Sequence, residues 1–339
     1  MQTFVNLPGP VASAVSNIIS RSDIRAISVN ASKLHERYMH PDEEQKRPHI
    51  QKPADALAYL SMRFPATYAQ IYSALSQIQD RVSNWQPKTL LDIGCGPGTG
   101  IWAAKALWPD LQSATGVDRD SHFLSLAEEI AYDAKEDITV DLVPQTIVQW
   151  TTTPVSKTYD LIIVANVVNE LTKDAKEQLL ETLVKRSSGI VLVLEPGTPR
   201  GFGVIQSVAE KISPNVSLIA PYIHGTFIAS DDYWIHFPQR FIRLDFQRRI
   251  RQSMRKNALM ASDWEETKFS YVACGNVPVE KKFWGQSVGG IEKYRGYLVI
   301  PVLTADGIIK TRVMKRHKEK YAMYKNLRWG ELIGEKLDG

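Results

Sequence analysis

Asp92, Gly94, Gly96 and Gly98 stand at alternate positions at the end of an apolar run, within Thr89-Leu-Leu-Asp-Ile-Gly-Cys-Gly-Pro-Gly-Thr-Gly100. Glycine is needed where a ligand comes too close for a Cβ, or where φ must be positive. In the dinucleotide fingerprint Gly-x-Gly-x-x-Gly the third glycine, counted from Gly94, would fall at Thr99. The mismatch favours S-adenosylmethionine (SAM), whose amino-acid end can lie against the loop's amides while Asp92 receives the ammonium. Asp118 follows twenty residues after Gly98. An acid at the end of a second strand is placed to accept hydrogen bonds from both ribose hydroxyls. A purely structural reading makes the loop a tight turn and Asp118 a helix cap. Strand, loop, helix and spaced acid together favour the cofactor, with Asp92, Gly94, Cys95, Gly96, Gly98, Asp118, Arg119 and Asn166 expected around it.

The elements that must position these residues follow from hydrophobic periodicity. Strands are expected near 89–94, 114–118, 138–142, 159–165 and 189–195, and helices near 98–108, 121–134 and 173–187. Such alternation predicts an α/β, doubly wound, mostly parallel Rossmann-like sheet. The glycine stretch resembles motif I of the class I SAM-dependent methyltransferases, and Asp118 resembles their second acidic motif. Ligands of such sheets bind beyond the carboxyl ends of the strands. Asn166 and Asn169, just past the fourth strand, and Glu195, at the end of the fifth, are therefore candidate catalytic residues of the rim. Amino-methyltransferases of adenine and cytosine usually carry Asn/Asp-Pro-Pro-Tyr there. This chain has Asn166-Val-Val-Asn169, which keeps the polar group and lacks the prolines and the ring. Neither cysteine is a good candidate for the nucleophile of a cytosine-C5 enzyme. Cofactor binding is therefore better supported than catalysis.

Residues 1–86 read as a helical region, 87–200 as the SAM-binding core, and 201–339 as a part that completes the sheet and adds a basic α+β extension. Pro65 falls where one N-terminal helix should stop. Beyond residue 200, Leu218–Phe241 looks loop-like and Phe241–Met260 reads as a basic helix. Lys268–Cys274 reads as a strand, Asp306-Gly307 as a hairpin turn and Lys315–Leu327 as a closing helix. Residues 240–339 hold 21 Lys and Arg against 11 Asp and Glu, whereas the rest of the chain holds 20 against 26. A basic third on a near-neutral protein predicts a polyanionic partner. Arg243, Arg248, Arg249, Arg251, Arg255, Lys315 and Arg316 are the expected RNA contacts, because the few acids nearby, Asp245 and Glu319, are too few to pair with them. Tyr321, Tyr324 and Trp329 are interleaved with the second cluster and could stack on bases. No apolar run reaches membrane-spanning length. Two cysteines, Cys95 and Cys274, cannot form a disulfide framework and fit a reducing compartment. Pro8-Gly9-Pro10 is expected to break any amphipathic leader helix, which favours a cytoplasmic location over the mitochondrial matrix.

Several phrases outside the loop point to one family. They are Tyr59-Leu-Ser-Met-Arg-Phe-Pro-Ala-Thr-Tyr68, Asn169-Glu-Leu171, Glu195-Pro-Gly-Thr-Pro-Arg-Gly-Phe202, Ile235-His-Phe-Pro-Gln-Arg240 and Lys268-Phe-Ser-Tyr271. Over roughly residues 30–335 the chain resembles the methyltransferase-like small-ribosomal-subunit assembly proteins of mitochondria and bacteria. That resemblance implies a class I methyltransferase core associated with the small ribosomal subunit or its precursor rRNA. Mitochondrial members look like iron–sulfur proteins, but here Tyr222 and Ile235 stand where thiolates would be needed, so no cluster and no metal site is expected. His224 and His236 read as structural histidines in aromatic surroundings. Three functions remain open: a SAM-dependent rRNA methyltransferase, a non-catalytic SAM-binding assembly factor, and a small-molecule methyltransferase. The last leaves the basic third unexplained. A monomer without membrane contact is expected.

Overall fold

The computed structural model describes residues 4–39, 50–223, 225, 227, 233–254, 262–279 and 283–336. Its frame is a parallel sheet whose central strand, β1 (Thr89–Ile93), is buried from Leu90 onward because both faces are covered. Four helices precede it: α1 (Gly9–Ser20), α2 (Ile24–Met39), α3 (Pro53–Met62) and α4 (Phe64–Gln79). Then follow α5 (Thr99–Leu107), β2 (Ser113–Asp118), α6 (Ser121–Ala134), β3 (Thr139–Pro144), α7 (Ile147–Thr151) and β4 (Tyr159–Ala165). A short 3-10 turn at Val168–Glu170 leads into α8 (Lys173–Arg186), β5 (Ser187–Pro196) and α9 (Pro199–Ile212). The remainder is β6 (Leu218–Ala220), β7 (Phe237–Ile242), α10 (Asp245–Met254), β8 (Trp264–Gly275), β9 (Gly285–Ser287) and β10 (Glu292–Lys293). It ends with β11 (Tyr297–Thr304), β12 (Gly307–Met314), α11 (Lys318–Tyr324) and β13 (Leu332–Ile333).

The large sheet runs β3-β2-β1-β4-β5-β8-β6, with β7 also on β8. The first five strands are parallel, and β8 is inserted antiparallel against β5. This is the class I methyltransferase arrangement, a doubly wound sheet closed by one reversed strand. Register does the positioning. Ile93 pairs with Val117 and Val164, and Ala165 with Leu194, so Gly94, Asp118, Asn166 and Glu195 emerge on one rim.

Several local expectations are corrected. Helix α3 stops at Met62, ahead of Pro65 as expected, but Pro65 then sits in the first turn of α4, and Pro10, where a break was expected, sits in the first turn of α1. There the missing N–H is one the helix does not use and φ is already suitable, so both prolines start helices. The passage expected to be loop-like holds β6 and β7, and the expected basic helix begins as β7 before turning into α10. The closing helix spans only Lys318–Tyr324. A second, five-stranded sheet of β9 to β13 carries its own small core of Leu298, Ile300, Val302, Val313, Tyr324 and Ile333.

Candidate functional site

The loop between β1 and α5 is held in left-handed backbone at all three glycines, with φ of 67° at Gly94, 51° at Gly96 and 81° at Gly98. At Gly94 a Cβ would also lie 2.4 Å from a methyl of Val167, so the loop and the strand-four rim touch. The amides of Gly94 and Cys95 donate to the Val117 carbonyl at 2.7 and 3.1 Å. Asp118 ties the loop to β2: Oδ2 accepts from the Gly96 amide at 2.8 Å and Oδ1 from the Asp120 amide at 2.9 Å. Each oxygen keeps a lone pair for another donor. Cys95 points away from the rim, buried against Gly116, and its thiol is pushed well up by burial. Arg119 is exposed beside Asp118 and Glu170 and acts on both charges.

Asp92 is 2 % exposed, and its Oδ2 has no hydrogen-bond partner. Burial, reinforced by the charge of Asp118, pushes its carboxyl up to about 7. The nearby amides of Gly100 and Ile101 offset only part of this. A buried carboxyl with no cation is costly in its ionised form.

Asn166 follows β4 with φ of 59°, one of two non-glycine residues in this conformation among those described. Its Nδ2 donates to Gln70 Oε1 at 3.4 Å, and its Oδ1 is buried without a partner. Glu195 is fully buried, accepts from the Asn169 amide at 3.2 Å and from Asn169 Nδ2, and is raised to about 7 by burial. It thereby holds the 3-10 turn against β5. The phrase that follows it is explained by packing. At Gly197 a Cβ would lie 2.6 Å from the Phe269 amide on β8, and Thr198 caps α9 by accepting from Gly201 at 3.1 Å.

All eight expected cofactor residues thus share the rim or the loop behind it. Residues that strand-and-loop reasoning missed come from the N-terminal helices. Tyr59 packs edge-on against Phe123, 4.9 Å between centroids, and lies near Thr67, Arg63, Glu170 and Asp118. Gln70 joins Asn166 to β8 through Thr267 Oγ1 at 2.6 Å and the Lys268 carbonyl at 3.0 Å. The signal was present, because Tyr59, Thr67 and their neighbours make up the Tyr59–Tyr68 phrase.

The expected RNA set divides differently. Arg243 and Arg251 both grip Glu265, at 3.0 and 2.8 Å, and Arg248 pairs with Asp245 and, at 3.6 Å, with Asp263. This corrects the expectation that the cluster has too few acids, for Asp263 and Glu265 arrive from β8 and its approach. Arg249, Lys315 and Arg316 are exposed; Arg255 lies outside the described residues. Tyr324 is buried in the small core, Tyr321 packs on that core, and Trp329 packs on His236 at 4.6 Å, so none of the three rings stands free.

His236 is sandwiched between Trp234 and Trp329, and burial holds its ring below the usual histidine range. Tyr222 and Ile235 are buried core residues. Among the described residues no three His, Cys, Asp or Glu converge as metal ligands; His224 lies outside that set. No described helix is long and apolar enough to cross a membrane.

The family model for the mitochondrial small ribosomal subunit protein Rsm22 matches residues 53–333. The chain is similar to the mitochondrial ribosome assembly protein METTL17 of Homo sapiens, 25% identical over 159 residues, covering 46% of this chain and 35% of that protein. It is also similar to the mitochondrial Rsm22-cox11 tandem protein 2 of Schizosaccharomyces pombe, 25% identical over 332 residues, covering 82% of this chain and 43% of that one. The chain thus spans less than half the length of these relatives. Among solved structures, PKMT2 of Rickettsia typhi in complex with AdoHcy is 24% identical, covering 44% of this chain and 28% of that one, with a TM-score of 0.32. The expected cytoplasmic location is corrected by these matches, since the family and both relatives are mitochondrial. The proline argument behind it fails too, because Pro10 starts α1.

Proposed function

The chain belongs to the mitochondrial small ribosomal subunit Rsm22 family, and from that premise we propose that it is a SAM-binding protein of methyltransferase fold that serves small-subunit assembly through rRNA. The observation that carries the cofactor is Asp92, a buried carboxyl with an orphaned oxygen, raised to about 7 beside a second acid and a left-handed glycine loop. Two acids at the ends of adjacent parallel strands, Asp92 with an orphaned oxygen and Asp118 with the exposed Arg119 beside it, fit a ligand carrying ammonium and sulfonium charges. When bound, SAM supplies an electrophilic methyl group for in-line transfer to a positioned nucleophile.

The chain's own residues divide the work. Asp92 would receive the ammonium, and the glycine loop lets the ligand approach the backbone. Asp118 would accept the ribose hydroxyls on the lone pairs that Gly96 and Asp120 leave free. Tyr59 and Phe123 exclude water from the adjoining wall. The buried Oδ1 of Asn166 can accept a hydrogen bond from an acceptor amine at the rim. The SAM-binding reading as an assembly factor without transfer is favoured by Asn169 and the Asn166 amide, which are already held by Glu195 and Gln70.

Calorimetric titration with SAM, paired with methyl transfer from labelled SAM to small-subunit rRNA, tests both. Binding with transfer supports the methyltransferase, and binding without transfer supports the assembly factor. No heat of binding for SAM would overturn the cofactor reading.

A further inference from the structure

The turn between β10 and β11 is Lys293-Tyr294-Arg295-Gly296-Tyr297, and residues 292–296 are all exposed. The Tyr294 amide donates to the Tyr297 carbonyl at 2.9 Å, and the Lys315 amide donates to the Gly296 carbonyl at 2.8 Å, which brings the end of β12 beside the tip. The rings of Tyr294 and Tyr297 lie 4.8 Å apart and 17° from parallel, and the Arg312 guanidinium is 5.2 Å from the Tyr297 centroid. The Tyr294 hydroxyl donates to Glu292 Oε2 at 2.7 Å, which fixes the ring's orientation. Tyr294 is nevertheless 47% exposed.

The topology explains why this stack faces solvent. Side chains alternate along β11, so Leu298, Ile300 and Val302 enter the small core while Tyr297, Val299 and Pro301 face the other way. On that second face they oppose Met314, Arg312 and Lys310 of β12. Leu303 and Ile308, at its far end, join the main core. The face is therefore docked at one end and open, among the described residues, at the Tyr297 end. Arg295, Lys310, Arg312, Lys315 and Arg316 are exposed on this side or at its end, with Glu292 as the acid of the hairpin, while Lys293 pairs with Leu298 on the other face.

We propose that this hairpin is a stacking platform for single-stranded RNA. An unpaired base would lie on the outer face of Tyr294 and lengthen the tyrosine–arginine ladder, while the surrounding cations take the flanking phosphates. Aromatic rings grip splayed bases, whereas the bases of an A-form duplex are already stacked on each other. A protein partner would have no use for five cations near a ring pair unless it were strongly acidic, so RNA is the better match in charge. The inference deepens the rRNA reading and rests on it.

Fluorescence anisotropy on the full chain tests it, with a labelled unpaired oligoribonucleotide and a duplex of the same length. Tyr294→Ala should weaken binding of the single strand roughly tenfold, with little change for the duplex. The slope of log affinity against log salt should stay as in the wild type, because no phosphate contact is removed. Tyr294→Trp should restore binding, and Tyr294→Leu, which keeps apolar bulk on the hairpin, should not. Unchanged single-strand affinity in the alanine form, an equal loss on the duplex, or rescue by leucine would each overturn the platform alone. Wild-type protein that binds neither RNA would overturn the rRNA reading and the platform with it. An effect of Tyr294→Ala seen only with protein-containing particles would assign the site to a protein and overturn the platform.

Discussion

Asp92 on β1 and Glu195 on β5 are buried carboxyls pushed up to about 7, and this gives the apo protein a definite pH dependence. Their folded values lie above the ordinary 3.8 and 4.5, so the folded state holds extra protons between about pH 4 and 7. Their contribution to stability is therefore most favourable below that window, falls as pH rises through it, and levels off above. Asp92→Asn removes one of the two contributions. It should raise the apo Tm at pH 8 by about 3 °C and change it little at pH 5, by scanning calorimetry at the two values. The same variant should lose SAM affinity. In the wild type that affinity should rise with pH through about 7, because a cationic ligand prefers the ionised carboxyl. A flat SAM affinity between pH 6 and 8 would remove Asp92 from the site. Asn166 offers a second residue-scale test. Its φ of 59° suits glycine, so Asn166→Gly should leave Tm nearly unchanged while removing the buried acceptor. Asn166→Ala should cost about 1 kcal/mol. If the glycine form keeps full methyl transfer, the amide has no part at the rim.

At the scale of elements, Glu265 of β8 holds both α10 and the residue that leads into it. Glu265 receives Arg243, which is 9 % exposed, and both oxygens of Glu265 receive Arg251. Glu265→Ala would strand two guanidiniums at a partly buried seam, and we expect a loss of about 2 kcal/mol, read by urea denaturation. Arg251→Ala should show a similar defect and so cannot be read as a loss of RNA contact alone. Arg249, exposed on the same helix, is the variant that separates the two: Arg249→Ala should leave stability intact and lower the salt slope by about 0.7 if it meets a phosphate. The prolines teach the same lesson about elements. A proline signals the end of a helix as readily as the first turn of the next; Pro65 does both, between α3 and α4, while Pro10 takes only the second role.

Across the whole molecule, the cofactor rim lies on the large sheet, and the exposed Lys315 and Arg316 follow β12 of the small one. The two functions should therefore separate. Exchanging Lys315 and Arg316 for alanine should flatten the log–log salt dependence of RNA binding by about 1.4, at 0.7 per single-strand phosphate. SAM affinity should not move, since neither residue approaches β1, β2 or β4. Calorimetry showing a coupled loss of SAM binding would mean that the two sheets communicate.

Much of the core was legible without coordinates, because its causes are local. Strand and helix periods, glycines that need positive φ and the Asp306-Gly307 turn each act within a few residues. The five parallel strands and the glycine loop fall within a residue or two of where periodicity put them. What folding alone decided were pairings between distant positions. Gln70 meets Asn166 across 96 residues, so the helical region contributes to the rim in a way no strand-and-loop motif encodes. Glu265 pairs with Arg243 and Arg251 from 22 and 14 residues away, which no charge count can foresee. Ring fate was settled in the same way. Tyr324 and Trp329 are aromatic like Tyr294 and Tyr297, but the seat of α11 buries Tyr324 and packing on His236 half-covers Trp329, whereas the register of β11 leaves Tyr297 stacked with the exposed Tyr294 at the surface. Residue type states what a side chain can do, and only its neighbours in space decide whether it is free to do it.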